Sequence, residues 1–277
     1  MTSSSPAVAE PTVGLLRRLS WLAVLLVGVA SYLLVLHTLV STRNTNFVPS
    51  MILLGSIVVP ASVLVFAASS GRRVVVSTGL IAFVAAMGGV IGTVAAGTLE
   101  YDALKRLGAL PMILVGLFEE SAKLIIPILV LVIARHRDSR AGVIIGVASG
   151  MGFATLETMG YGFNALLKTG SIVDVEQTLQ LRALLSPAGH VAWTGLTAAA
   201  LWALPSATRK GRAIVRLLLT FVVAVLLHAA WDGFNNLIVH IVVGGVSFAA
   251  LLFTIRRAHK QAEPGYHRGS SAAVSSV

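Results

Sequence analysis

The amino-acid sequence predicts an all-α, polytopic membrane protein of about eight transmembrane helices, and three observations carry that prediction. Of 277 residues, 56% are hydrophobic and only 12% charged, about half the charge of an average soluble domain. Apolar runs of about 20 residues, the length that spans a bilayer, recur along the chain. Lys and Arg alternate between the two sides of those runs: fifteen fall on one side, five on the other, and Lys123 lies inside a run. The positive-inside rule places the richer side, and with it both termini, in the cytoplasm. This composition excludes a soluble enzyme, a disordered chain and a nucleic-acid module. The formal charge of +10 is read as a topology signal, so no nucleic-acid partner is expected. With no cysteine, neither disulfides nor thiolate metal ligands are available.

Taken in order, the first three spans are Leu19–Val40, Phe47–Ala68 and Val74–Gly97, and His37 is the one ionisable side chain they contribute. The fourth, Ala109–Ala134, carries Glu119, Glu120 and Lys123 in mid-helix. The fifth, Gly142–Leu167, has Gly142, Gly146, Gly150 and Ala154 at every fourth position, a small-residue stripe that lets a neighbouring backbone approach closely. Glu157 follows on that packed stripe. The sixth, Leu181–Leu204, opens on Arg182 and carries Pro187-Ala188-Gly189-His190. The seventh, Ile214–Asp232, ends on His228 and Asp232, and a tight turn at Gly233–Asn235 leads into the eighth, Asn236–Ile255. Arg182 and Asp232 lie near helix ends, where an interfacial place is the simpler reading, and His136, His240, His259 and His267 are read as interfacial. The four tryptophans need no role beyond packing or anchoring. Residues 13–258 form one transmembrane domain, between polar tails at 1–12 and 259–277 that are expected to be disordered. The first dozen residues are not read as a signal peptide. No internal repeat suggests an inverted-repeat transporter.

An ionisable side chain at membrane depth costs several kcal/mol, about 2.5–3.5 on insertion scales, so each one needs an explanation. Here four consecutive helices supply three Glu, one Lys, two His and one Asp. Counting residues from the outer ends of the spans, Glu119, Glu157 and His190 all lie about 14 Å below the outer surface, with His228 somewhat shallower. Spacing agrees with a single buried site. Glu119 and Lys123, Glu157 and Tyr161, and His228 and Asp232 are each i,i+4, and Glu120 and Lys123 are i,i+3, so each pair shares a helix face. A structural ion pair would explain Glu119, Glu120 and Lys123 alone, but not two histidines and further carboxylates at one depth. The expected site therefore lies among helices 4–7, in the outer half of the bilayer.

At these positions the chain resembles the PrsW family of intramembrane proteases, part of a superfamily that includes the CAAX prenyl proteases and bacteriocin-processing membrane proteins. The family pattern is Glu-Glu-x-x-Lys, Glu-x-x-x-Tyr, His and His-x-x-x-Asp, each on its own helix. Here it stands as Glu119-Glu120-x-x-Lys123, Glu157-x-x-x-Tyr161, His190 and His228-x-x-x-Asp232, in the same order, within residues 109–232. The resemblance implies peptide-bond hydrolysis in or beside the plasma membrane, on a membrane protein or peptide held in the lipid bilayer. The best-known role of the family is the first cleavage of a membrane-spanning anti-sigma factor. The catalytic set implied is Glu119, Glu120, Lys123, Glu157, Tyr161, His190, His228 and Asp232.

Two forms of hydrolysis fit these residue types. In one, His190 and His228 with Glu157 or Asp232 hold a divalent metal, Zn²⁺ being the natural choice, and Glu119 or Glu120 takes a proton from water. In the other, no metal is present, Glu119 or Glu120 activates water directly, and a histidine with Tyr161 or Asp232 stabilises the oxyanion. In either form Asp232 orients His228 and Lys123 tunes the Glu pair. The rival from another class is a proton-coupled secondary transporter that uses the same Glu, His and Lys as a relay.

Overall fold

The computed structural model describes residues 14–69, 76–134, 138 and 140–261. The expected tail at 1–12 lies outside them, as does the other tail from residue 262 onward. Among the described residues there are eleven α-helices and no strand. They are α1 (Leu15–Arg18), α2 (Ser20–Thr42), α3 (Val48–Ser69), α4 (Thr78–Leu107), α5 (Met112–Lys123), α6 (Ile125–Ile133), α7 (Ala141–Thr169), α8 (Ile172–Leu185), α9 (His190–Trp202), α10 (Lys210–Gly233) and α11 (Leu237–Gln261). Six of them, α2, α3, α4, α7, α10 and α11, are long and apolar enough to cross a membrane. The helix α11 runs into the stretch expected as the second tail.

The fourth and sixth predicted spans are not continuous helices, and proline chemistry explains both breaks. Pro127 has no N–H to give the Lys123 carbonyl, which would be its partner four residues back. The α5 helix accordingly stops at Lys123, and the Ser149 hydroxyl donates to the freed Lys123 carbonyl at 2.7 Å. Pro187 does the same to the Ala183 carbonyl, which accepts from the Ser186 hydroxyl at 3.4 Å. A single 3₁₀ turn, Ser186–Ala188, then separates α8 from α9. The helix α8 also fills most of the connection expected between the fifth and sixth spans. Its sequence is half polar, but Val175, Leu179 and Ala183 repeat at i, i+4, i+8 and are buried, the mark of an amphipathic helix. The third span is longer than expected as well: α4 continues past Gly97 and stops at Gly108, whose φ of 71° is the left-handed helix stop that glycine favours.

The helix α7 forms the axis of the bundle and is buried along most of its length. Its small residues make this possible. Gly142, Gly146 and Gly150 lie against Trp202, Ala198 and Thr194 of α9, while Ser149 and Gly152 meet Gly88 and Gly89 of α4. Around this axis Val84, Ile144, Val147, Val191, Leu251 and Ile255 close the main core. Large apolar side chains on α2, α10 and α11 point outward, Leu26, Leu218 and Ile241 among them, as helices facing lipid should. His259, expected at the interface, is buried within the protein, with Nε2 2.9 Å from the Ala67 carbonyl oxygen of α3.

Candidate active site

The site forms where the two broken helices meet α7 and α10. Ending α5 at Lys123 places Glu119, Glu120 and Lys123 in its last turn and a half. Beginning α9 at His190 places that imidazole at a helix start, directly after the break. Two glycines bring the pieces within reach. A Cβ on Gly116 would lie 2.8 Å from the Val225 carbonyl oxygen and 3.3 Å from His228 Cβ, so only glycine lets α5 cross α10 this closely. A Cβ on Gly150 would lie 2.6 Å from the His190 carbonyl oxygen, so α7 and α9 also touch backbone to backbone.

Seven of the eight residues expected in the site, Glu119, Glu120, Lys123, Glu157, His190, His228 and Asp232, come together in one cluster. The Lys123 ammonium, fully buried, lies 2.8 Å from Glu120 Oε1, 3.3 Å from Glu119 Oε2 and 2.7 Å from His190 Nδ1, with its Nζ 4.4 Å from the centre of the Phe153 ring. His228 is equally buried, with Nδ1 2.9 Å from Glu120 Oε1 and Nε2 3.5 Å from Glu119 Oε2 and 3.1 Å from Asp232 Oδ2. His190 turns Nε2 to Glu157 Oε2 at 2.9 Å and Nδ1 to Glu119 Oε2 at 3.8 Å. Tyr161 is the outlier. It touches none of the carboxylates or imidazoles in these contacts, but its ring lies under the Arg182 guanidinium, 3.7 Å away.

Arg182 joins the site. Its Nη2 is 2.7 Å from Glu157 Oε2, so Tyr161, Arg182, Glu157 and His190 form one chain of contacts from α7 through α8 to α9. Trp193, expected only to pack or to anchor, stacks on the His228 ring at 4.9 Å and 27° and donates Nε1–H to Ser247 Oγ of α11 at 2.9 Å. Its place one turn after His190 was the signal for this, because such a residue lies beside that histidine's ring. Glu100 escaped the sequence reading because α4 was ended at Gly97. The extra turns carry it to the wall of a cleft of about 380 Å³ that also exposes Glu119, Glu157, Tyr161 and Asn164. A second cleft of about 410 Å³ reaches the site past α8 and α11. Its walls include Leu181, Leu185, Trp231 and Ile241, with His190 and Asp232 at the polar end.

The inner atoms of the site suit a cation. Glu119, His190 and His228 each offer one ligand atom, all within 4.8 Å of one another. Glu119 Oε2 and His228 Nε2 are buried and face each other at 3.5 Å, with the Lys123 ammonium 3.3 Å from the first and Asp232 Oδ2 3.1 Å from the second. Two buried donor atoms facing each other this closely can share a cation. Both imidazoles, moreover, have a carboxylate at the opposite nitrogen, Glu120 for His228 and Glu157 for His190, the support usually given to metal-bound histidine. The carboxylate of this inner group is Glu119, where the sequence pointed to Glu157 or Asp232 beside His190 and His228.

Comparison with known proteins agrees with this arrangement. Residues 59–255 match the family described as PrsW family intramembrane metalloprotease, a wider stretch than the motif core 109–232. No match was found among curated proteins or among solved structures. Covering well over half of the chain, and with the four-helix constellation assembled in one buried site, the match shows that the chain belongs to the PrsW family of intramembrane metalloproteases, multi-pass membrane proteins that hydrolyse peptide bonds.

Proposed function

We propose that this protein cleaves a peptide bond of a membrane-spanning substrate, with Glu119, His190 and His228 holding a divalent metal, zinc by the chemistry of a two-His, one-carboxylate donor set. The observation that carries the proposal is the convergence of one donor atom each from Glu119, His190 and His228 within 4.8 Å of one another, with Glu119 Oε2 and His228 Nε2 3.5 Å apart. When bound, such an ion polarises the scissile carbonyl and makes water acidic enough to attack near neutral pH. The protein's own residues do the rest. Glu120 Oε1 lies between Lys123 Nζ and His228 Nδ1, which fixes the imidazole so that Nε2 faces the reaction. Glu157, pinned by Arg182, does the same for His190 and leaves Nδ1 inward. Asp232 is the most exposed carboxylate of the group and stands at the mouth of the cleft, where it takes the proton of the attacking water. The apolar walls of that cleft receive the substrate's side chains, and its polar end holds the bond to be cut.

Placing both termini in the cytoplasm rests on the distribution of Lys and Arg, the site in the outer half of the bilayer on the residue count from the span ends, and the plasma membrane on the family resemblance. A membrane-anchored regulator such as an anti-sigma factor, the best-known substrate of the family, is the substrate class proposed. Family membership favours hydrolysis over the proton-coupled transporter.

A second reading is supported by one distance. Lys123 Nζ lies 2.7 Å from His190 Nδ1, the nitrogen a metal would need. In that reading the three inner atoms hold a water directly, and Glu119 takes its proton. Elemental analysis of the full-length protein, purified in detergent without chelator, separates the two. About one zinc per chain, lost in both His190→Ala and His228→Ala while the fold persists, is the expected result. A metal-free wild type that cleaves a membrane peptide would overturn the metal reading in favour of the second.

Arg182→Ala is expected to lower kcat by about 10–100-fold through the loss of Glu157 positioning. Arg182→Lys should recover little of it, because an ammonium cannot stack on Tyr161 as the guanidinium does. Full activity in Arg182→Ala would mean that Glu157 holds its place without help.

A further inference from the structure

Far from the active-site cleft, α7 and α10 begin and α9 ends around a cavity of about 780 Å³. Five arginines line it, Arg140, Arg209, Arg212, Arg216 and Arg257, and no carboxylate does. They come from three parts of the fold. Arg140 precedes α7, Arg257 lies on α11, and Arg209, Arg212 and Arg216 stand at i, i+3 and i+7 along one face at the start of α10. Arg140 is held by Asp138, with Nη2 2.7 Å from Oδ2 and Nε 2.8 Å from Oδ1. Burial works to raise the Asp138 carboxyl, but the hydrogen bonds and charge of Arg140 hold it below its ordinary value, so this pair stays ionised. Among the described residues the other four arginines form no ion pair.

Topology alone requires arginines on this side of the membrane; it does not require them to converge on one cavity, and Arg17, Arg18 and Arg256 do not line it. Two long helices also begin at its edge without a side-chain cap, α7 after Arg140 and α10 after Arg209, adding the partial positive charge of their free N–H groups. Hydroxyls of Ser206, Thr208 and Thr254 complete a donor-rich lining. Guanidinium forks with no carboxylate to satisfy them match phosphate oxygens. Continuing the α10 row beyond Arg212 and Arg216 at helical spacing leads to Leu219 and Val223, which are 62% and 51% exposed. Charge followed by exposed hydrocarbon along one helix face is the order of a phospholipid, headgroup then acyl chain.

We propose that this cavity binds the headgroup phosphate of an anionic phospholipid, held by Arg212, Arg216 and Arg257, with an acyl chain along Leu219 and Val223. The test uses full-length protein in detergent micelles titrated with phosphatidylglycerol, phosphatidylcholine or inorganic phosphate, with bound lipid read by native mass spectrometry and stability by thermal unfolding. Wild type should bind phosphatidylglycerol in preference to phosphatidylcholine, and inorganic phosphate should stabilise it far less than phosphatidylglycerol. Arg212→Gln with Arg216→Gln should weaken phosphatidylglycerol by about 30-fold, at about 1 kcal/mol per arginine. Arg17→Gln with Arg18→Gln, the same change of charge outside the cavity, should leave binding nearly unchanged. No headgroup preference in the wild type would overturn the proposal whether or not the variants fold. So would an equal loss in the Arg17/Arg18 variant, which would reveal a diffuse field, or full stabilisation by inorganic phosphate alone, which would make the ligand a soluble anion.

Discussion

Glu119→Gln is expected to reduce cleavage of a membrane peptide by about 10²–10⁴-fold while leaving the protein folded, the range lost with a group that handles the proton or holds the electrophile. The amide keeps the volume of the carboxylate but removes the charge at Oε2, the atom that faces both His190 Nδ1 and His228 Nε2. Metal content measured on the same variant assigns the role. A loss of zinc together with activity makes Glu119 a ligand, whereas retained zinc with lost activity makes it the base. Activity within a few-fold of wild type would remove Glu119 from the chemistry altogether, and with it the proposed site.

Lys123→Met is expected to destabilise the fold by about 3–5 kcal/mol, the cost of leaving a buried charge without its partner. The ammonium is fully enclosed and stands between the two glutamates, 3.3 and 2.8 Å from their oxygens. Without it, Glu119 and the buried Glu120 stand against each other with no cation between them. Equilibrium unfolding in micelles measures the loss, and the double variant Glu119→Gln/Lys123→Met should recover part of it, since one of the opposed charges is then gone. A loss below about 1 kcal/mol would show instead that water reaches the pair and screens it.

Much of this site was legible before any coordinates. Spacing on single helices correctly paired Glu119 and Glu120 with Lys123, and His228 with Asp232, because residues three and four apart share a face whatever surrounds them. Burial of charge in an apolar chain is costly enough that seven ionisable residues on four consecutive helices marked a site by themselves. The misreadings have equally local causes. Apolarity alone made continuous spans of α5 with α6 and of α8 with α9, although Pro127 and Pro187 each remove a donor from the helix ladder. The polar half of α8 hid its buried Val175, Leu179 and Ala183, and with that helix went the placement of Arg182.

The sequence by itself determined that this is a helical membrane protein, which residues carry its charge into the apolar bundle, and the family to which they point. Helical periodicity and the cost of burying charge act along the chain and need no neighbour to be known. Only the tertiary structure decided which carboxylate serves which imidazole: Glu120 on His228 Nδ1, Glu157 on His190 Nε2, and Glu119 between the two inner nitrogens. That choice turns on separations of about 3 Å between side chains of different helices. They are set by how closely α5 crosses α10 at Gly116 and α7 meets α9 at Gly150, contacts between segments far apart in sequence that no spacing along the chain encodes.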